Sequence, residues 1–250
     1  MKLISLNTFG GTFFESLIEF VEREESTTDI FCFQEILSEA HDATNVRGMR
    51  MNLFIELRTI LADFDYVSLV TNHKNQAPEE GYTFGKTIFV KKPMQIETLT
   101  DHTEGAFLVA KIKQMNTEFI VCNVHGRSLP GEKFDTAERL EQSKNILDFL
   151  AAQSGEKIIC GDFNLLPQTQ SIKMFEEAGY KNLITDFAIT TTRGTLHKKT
   201  YPEYANLPDG FQEFADYTFV MPGILVKSFD VPDLSLSDHL PMILNFDVIQ

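Results

Sequence analysis

Apolar positions recur along this chain with two spacings. Residues 2–7 alternate about Leu3, Ile4 and Leu6 and predict a strand. In "GTFFESLIEFVEREE", Phe14, Leu17, Ile18 and Val21 fall on one helical face, and Thr12 with Glu15 matches a capping box. "DIFCFQE" is a short apolar strand with a polar end. "MNLFIELRTILADF" carries a helical stripe of Leu53, Leu57, Ile60 and Leu61, which predicts core packing and not a membrane helix. "YVSLVT", "KTIFVKK", "AFLVAKIK" and "EFIVCNVHG" are rich in Val, Ile or Phe and predict strands. "AERLEQSKNILDFLAAQSG" is a helix closed near Gly155, and "TQSIKMFEEAG" is one capped by Thr169 and ended by Gly179. "KIICGDFN", "ADYTFV", "ILVKSFDV" and "LPMILNFDV" add four more strands. Many short β segments adjacent in sequence predict a mixed α/β fold, with largely antiparallel sheets and helices outside, in place of a doubly wound parallel sheet.

No repeat, low-complexity segment or Pro/Gly/Ser linker divides the 250 residues, so one domain over 1–250 is expected. Cys32, Cys122 and Cys160 each lie inside an apolar run, the pattern of small buried residues and not of a disulfide framework. "MKLISLNTF" lacks the apolar core of a signal peptide and no run is long enough to span a bilayer, so a cytoplasmic protein is expected. The net charge of −14 disfavours duplex nucleic acid as a partner, although a local basic patch is compatible with it.

The strands share one feature: a polar end. "LISL" ends at Asn7, "IFCF" at Gln34 and Glu35, "FIVCNV" at His125, and "KIIC" at Asp162 and Asn164. The last strand begins at Ser237, Asp238 and His239, so an antiparallel course would bring that start to the same rim. Side chains two apart in a strand share a face, so Asp162 and Asn164 would point at one spot if the strand continued that far. The oxygens of Asn7, Glu35, Asp162, Asn164 and Asp238 suit a hard cation, Mg²⁺ or Mn²⁺. The imidazoles of His125 and His239 beside them suit hydrolysis of a phosphate ester. Each residue alone also fits an ordinary structural part: a Gly-Asp turn, a strand cap, a core histidine.

"SLNTFG", "FCFQE", "NVHG", "GDFNLLP", "ADYTFV" and "SDHLPM" together resemble, in order, the signature motifs of the endonuclease/exonuclease/phosphatase superfamily, with its deoxyribonuclease-I-like fold. The resemblance implies a four-layer α-β-β-α sandwich and a divalent-metal phosphoesterase. Under it, Glu35 matches the principal metal ligand, Asn7 the amide beside the metal, and Asp238 a second acidic position near it. Asp162 matches the residue that orients or deprotonates water, Asn164 the one that hydrogen-bonds the scissile phosphate, and His239 the histidine on a phosphate oxygen. Asp216 matches the carboxylate that holds that imidazole. His125 matches branches with histidine at that strand end; the abasic-site endonuclease branch has tyrosine nearby, so the match points away from DNA repair.

Arg127, close to His125 in sequence, is a further candidate phosphate contact. The stretch 193–204, with Arg193, His197, Lys198 and Lys199, reads as a solvated loop or as a cationic lip for an anionic substrate, and His41, His73 and His102 read as solvated. The loops 36–50, 72–86 and 193–212 would select the substrate. The expected activity is hydrolysis of a small or lipid-head phosphoester by in-line attack of water, in a monomer. Nuclease action on DNA or RNA is the alternative, and a catalytically silent binding module of the same fold is a third.

Overall fold

The computed structural model describes residues 1–38, 48–71, 84–100, 106–207 and 210–249. His41, His73, His102 and most of the loops 36–50 and 72–86 lie outside the described residues. One sheet holds β1 (Lys2–Asn7), β2 (Ile30–Leu37), β3 (Phe64–Thr71), β4 (Phe84–Lys91), β11 (Ile224–Asp230) and β12 (Met242–Val248), in the order β11-β12-β1-β2-β4-β3. The other holds β5 (Gln95–Thr98), β6 (Phe107–Gln114), β7 (Thr117–His125), β8 (Glu156–Asp162), β9 (Lys181–Asn182) and β10 (Asp216–Val220), in the order β5-β6-β7-β8-β10-β9. Within each sheet one neighbouring pair is parallel, β1 with β2 and β7 with β8, and the others are antiparallel.

The period-two alternation of the strands assigns their faces. Ile4, Leu6, Phe31 and Phe33 pack outward on α1 (Phe14–Glu24) and α2 (Leu53–Ile60), through Leu17, Phe20, Val21, Leu53 and Leu57. Leu3, Ile30 and Cys32 point the other way, into a core shared with Val109, Val121, Ile158 and Cys160 of the second sheet. On that sheet's far side, α3 (Ala137–Ala151) and α4 (Gln170–Glu177) add Ile146, Leu150, Ile172 and Phe175. The result is the expected four-layer sandwich. All three cysteines are buried and unpaired within it. No helix among the described residues is long and apolar enough to cross a membrane.

Two expected caps take other forms. Thr12 and Glu15 make no capping box: a 3₁₀ turn over Phe9–Gly11 leads into α1, and the Thr12 hydroxyl donates to the Phe9 carbonyl at 2.7 Å. Thr169 does precede α4, but its hydroxyl donates to the Leu166 carbonyl. The free N–H groups of that helix start instead donate to Asp135, from Gln170 at 2.7 Å and Ser171 at 2.9 Å. A carboxylate 36 residues from Ser171 is invisible to a local capping rule.

Gly161 explains how closely β7 and β8 approach at the rim. Its φ is +131°, and a Cβ there would stand 2.1 Å from the Val124 carbonyl oxygen. Gly161→Ala is therefore expected to cost about 1–3 kcal/mol by overpacking, measured as a fall in the urea midpoint at constant slope. An unchanged midpoint would mean that the strands have room to spare.

Candidate active site

On the faces that the two sheets turn toward each other, the apolar pattern gives way to polar residues at one end. Cys32 is followed two positions on by Gln34, Ser5 by Asn7, Val121 by Asn123 and then His125, and Cys160 by Asp162. Strand register aligns these ends. His125 pairs with Asp162 across β7–β8, Asp162 with Asp216 across β8–β10, and Asn7 with Gln34 across β1–β2. Gln34 also bridges the sheets, donating to Asn123 Oδ1 at 2.6 Å.

Glu35 reaches the rim through a β-bulge. Between the Phe33–Thr87 and Ile36–Gly85 pairs, β2 spends two residues, Gln34 and Glu35, where β4 spends one. Glu35 takes φ +57° there, and Asn164 takes φ +55° just beyond β8. Left-handed backbone at non-glycine residues costs on the order of 1–3 kcal/mol and clusters at functional sites. The strand thus ends before Asn164, and shared strand periodicity does not bring it to Asp162. A tight turn does: the Asn164 backbone N–H donates to Asp162 Oδ1 at 2.8 Å and its Nδ2 to Asp162 Oδ2 at 3.1 Å. That turn needs Gly126 beside it, where a Cβ would meet the Phe163 carbonyl at 2.3 Å.

The two sheets meet at Asp162. Asn7 Nδ2 crosses from the first sheet to donate to Asp162 Oδ2 at 2.9 Å and to Glu35 Oε1 at 3.0 Å. Its carbonyl is occupied by the Phe9 N–H at 3.0 Å. In this geometry Asn7 clamps two carboxylates and does not present an oxygen to a cation. His125 Nε2 lies 3.5 Å from Glu35 Oε1 and 4.0 Å from Asp162 Oδ2. Glu35, His125 and Asp162 offer atoms all within 4.8 Å of one another, as do Asp162, Asp216 and His239. Solvent reaches the first group through Glu35 and His125, whose side chains are 21% and 12% exposed against 2% for Asp162.

His239 enters from the segment ahead of β12. The Ser237 hydroxyl donates to the Asn7 carbonyl at 2.7 Å and accepts the His239 N–H at 3.2 Å, which ties that segment to the end of β1. His239 Nδ1 lies 2.8 Å from Asp216 Oδ2, which leaves Nε2 facing Asp162 Oδ2 at 3.6 Å. A carboxylate on Nδ1 fixes that nitrogen as the N–H donor.

Electrostatics follow from this packing. Burial opposes ionisation of Asp162, but His239, Lys133, His125 and Arg193 outweigh it and bring the carboxyl down to about 2. Burial likewise opposes ionisation of Glu35, and His125, Asn7 and His239 hold its carboxyl below the usual range. Burial and the neighbouring Asp162 raise Asp216 despite His239. For His239, burial and Arg193 disfavour the cation, yet Asp216, Asp238 and Asp162 together raise it.

Two sequence candidates lie away from Glu35. Asp238 is buried on the Arg193 guanidinium, with Oδ2 at 2.9 Å from Nη1 and 3.6 Å from His197 Nδ1. Its Oδ1 makes no hydrogen bond among the described residues and lies 3.9 Å from His239 Nε2, so Asp238 flanks that imidazole and is not grouped with Glu35. Arg127 is exposed and lines a cleft with Glu138, Glu141 and Asn145 on the α3 side, outside the cluster. The stretch 193–204 is not a solvated loop. Arg193 and His197 are buried, and α6 (Thr195–Thr200) runs through it. Lys198 pairs with Glu213 at 2.7 Å.

Sequence reasoning missed Lys133. It is 5% exposed, donates to Asn164 Oδ1, and is brought down to about 8 by burial and by Arg193. "GEK" in a loop carries no signal of such a role.

A model of the Endonuclease/Exonuclease/phosphatase family matches residues 4–239. The chain belongs to that family. Members of the endonuclease/exonuclease/phosphatase family are generally metal-dependent phosphoester hydrolases and include phosphatases, nucleases and phosphodiesterases. No curated protein sequence gives a significant match. Among solved structures, an endonuclease/exonuclease/phosphatase from Bacteroides vulgatus is similar over 99% of this chain and 98% of its own, at 18% identity and TM-score 0.67. The human Nocturnin catalytic domain with bound sulfate is similar over 99% and 93%, at 14% identity and TM-score 0.66. The mannosyl-6-phosphatase Bt3783 of Bacteroides thetaiotaomicron is similar over 99% of both chains, at 14% identity and TM-score 0.67. At these identities the likeness shows that the fold is shared within the endonuclease/exonuclease/phosphatase family.

Proposed function

We propose that this chain hydrolyses a small phosphate ester with the help of a divalent cation. The observation that carries the reading is the cross-sheet convergence at Asp162, where Asn7, Asn164, His125 and His239 all meet one buried carboxylate beside Glu35. The donor set fits a hard divalent ion, since two carboxylates and one imidazole stand within reach of a common point and one side is open to solvent. Glu35 would hold the ion, with Asp162 and His125 beside it, and Mg²⁺ or Mn²⁺ is the expected occupant. Bound there, it would offset charge on a phosphate oxygen.

The remaining work falls to the chain. Asp162, kept ionised at neutral pH, orients a water and accepts its proton as the water attacks phosphorus in line. Asn164 meets a phosphate oxygen when substrate displaces one of its present contacts. His239, aimed by Asp216, presents Nε2 to another phosphate oxygen and stabilises the charge there. As the water oxygen bonds phosphorus, the P–O bond to the alcohol breaks; the departing oxygen takes a proton from solvent, Asp162 returns its proton to solvent, and no covalent enzyme intermediate forms.

A small substrate is favoured by how the basic groups near the site are used. Among the described residues of 193–204, Arg193 is spent on Asp238 and Lys198 on Glu213, which leaves Lys199 as the exposed cation, too little charge for a basic track along a nucleic acid backbone. The net charge of −14 points the same way.

The test is a panel of sugar phosphates, phosphodiesters, and single- and double-stranded DNA and RNA, each with Mg²⁺, Mn²⁺, Zn²⁺ or chelator. The expected result is turnover of a small ester that chelator abolishes, with weak dependence on salt. Turnover confined to nucleic acid and falling steeply with salt would replace the reading by nuclease action. Chelator-resistant turnover would remove the cation from it.

A further inference from the structure

Asn164 does two jobs on Asp162, and only one orientation of its amide allows both. Its backbone N–H holds Oδ1, and its Nδ2 donates to Oδ2 at 3.1 Å and to the Gly126 carbonyl at 3.3 Å. A flipped amide would turn its carbonyl oxygen against the Asp162 carboxylate. The group that selects the orientation is on the opposite side. The Lys133 ammonium touches Asn164 Oδ1. An ammonium donates three protons and accepts none, so the amide atom against it must be the carbonyl oxygen. A flip would bring N–H groups onto that ammonium and a lone pair onto the carboxylate, two repulsive contacts at once.

We propose that Lys133 is a positioning residue: it locks the Asn164 amide so that its NH₂ faces Asp162. The proposal rests on the reading of Asp162 as the residue that handles water. It also gives a purpose to a second feature outside the cluster. The loop that carries Lys133 is built around Arg139 of α3, which is 1% exposed. Arg139 donates to five carbonyls: Nε and Nη2 to Arg127, Nη1 to Glu132 at 2.6 Å and Phe134 at 2.7 Å, Nη2 to Ser128 at 3.3 Å and Pro130 at 2.7 Å. Two further bonds pin the loop to the site. The Leu166 N–H donates to the Lys133 carbonyl at 2.9 Å, and Gln212 Nε2 to the Gly131 carbonyl at 2.8 Å. The sequence of influence therefore runs from Arg139 to the loop, from Lys133 to Asn164, and from Asn164 to Asp162. A lysine used only as a diffuse positive charge near the phosphate would not need a backbone fixed on both flanks.

The experiment is a double-mutant cycle of Lys133→Met and Asn164→Ala in the metal-loaded protein, with kcat and KM read on the best ester of the panel. Methionine keeps the length and apolar stem of lysine and removes the donor. Lys133→Met alone is expected to lower kcat about 10–100-fold, the usual effect of losing a supporting contact, with KM nearly unchanged. In the Asn164→Ala background the same change is expected to add almost nothing, because the two residues act as one unit. In parallel, the side-chain amide protons of Asn164, assigned by their loss in Asn164→Ala, are followed by NMR. They are expected to be protected from exchange in the parent and to lose that protection in Lys133→Met. Losses that multiply across the cycle, or an Asn164 amide unmoved by Lys133→Met, overturn the proposal. If no ester is turned over at all, the functional reading fails by itself, and the amide measurement alone still decides the role of Lys133.

Discussion

Asp162→Ala and His239→Ala should each lower kcat at least about a hundredfold on the best phosphate ester. Asp162 is where the architecture concentrates its polar contacts. Asn7 arrives from one sheet, Asn164 from the following turn, and His239 Nε2 stands 3.6 Å away. Alanine removes the proton acceptor and leaves the NH₂ groups of Asn7 and Asn164 without their shared oxygen. His239→Ala removes the imidazole that Asp216 aims, and strands a buried carboxylate that burial already pushes toward its neutral form. Since the proposed mechanism has both residues serve one phosphate and one water, the double variant should be little worse than the poorer single one. Circular dichroism and thermal melts separate lost chemistry from lost fold. Near-parental kcat in both well-folded singles would remove Asp162 and His239 from the mechanism.

The largest expected stability effect lies at Arg139, a residue that touches no part of the carboxylate cluster. Replacing it with methionine leaves five carbonyls of the 127–134 loop without their donor. A hydrogen bond to a charged group contributes about 1.5–3 kcal/mol, and a buried carbonyl left unmade costs about 1–3 kcal/mol. Water reaches part of the loop, so the sum is not realised, and a loss of at least about 3 kcal/mol is expected. For a chain this long that corresponds to roughly 6–12 °C in Tm. Arg139→Lys should recover little of it, since an ammonium has three donors on a point charge where the guanidinium has five in a planar fork. Activity should fall together with stability, because Lys133 is carried on the same loop. A Tm within about 2 °C of the parent would show that the loop holds itself, and would contradict the packing described.

How much of this was readable beforehand depended on the distance over which each contact acts. The strand tips were readable because the chemistry interrupts a strong local pattern. Ser5 to Asn7, Cys32 to Gln34 and Cys160 to Asp162 each keep the period of two while changing from small or apolar to polar. Many adjacent short strands announced largely antiparallel sheets with helices outside; the four-layer sandwich came only with the resemblance of the ordered motifs, and the family match agrees with it. The pairing of Asp162 with Asn164 was also anticipated, but for a reason that does not hold. A left-handed residue ends the strand, and a turn does the work that periodicity was expected to do.

What was not readable rests on contacts with no local signature. Lys133 meets Asn164 31 residues away, and Arg193 meets Asp238 45 residues away. Arg193 and His197 are buried on Asp238 Oδ2, so the stretch 193–204 is not a solvated loop, and one oxygen of Asp238 is already engaged. The bulge at Glu35 was equally hidden, because nothing in "FCFQEIL" marks the extra residue that opens it toward solvent. The missing capping box has the same origin. Thr12 spends its hydroxyl on the turn before the helix, which a four-residue motif does not see.

Binding of Mn²⁺ to the parent and to Glu35→Gln, followed by calorimetry alongside turnover of one ester, tests most directly the claim that this rim is a cation-assisted hydrolytic centre. The account predicts saturable Mn²⁺ binding to the parent, at least a tenfold loss of affinity in Glu35→Gln, as supporting and ligating groups of metal sites commonly show at about 10–100-fold, and a matching loss of turnover. Equal Mn²⁺ affinity in the two proteins, with turnover undiminished in the variant, would contradict it.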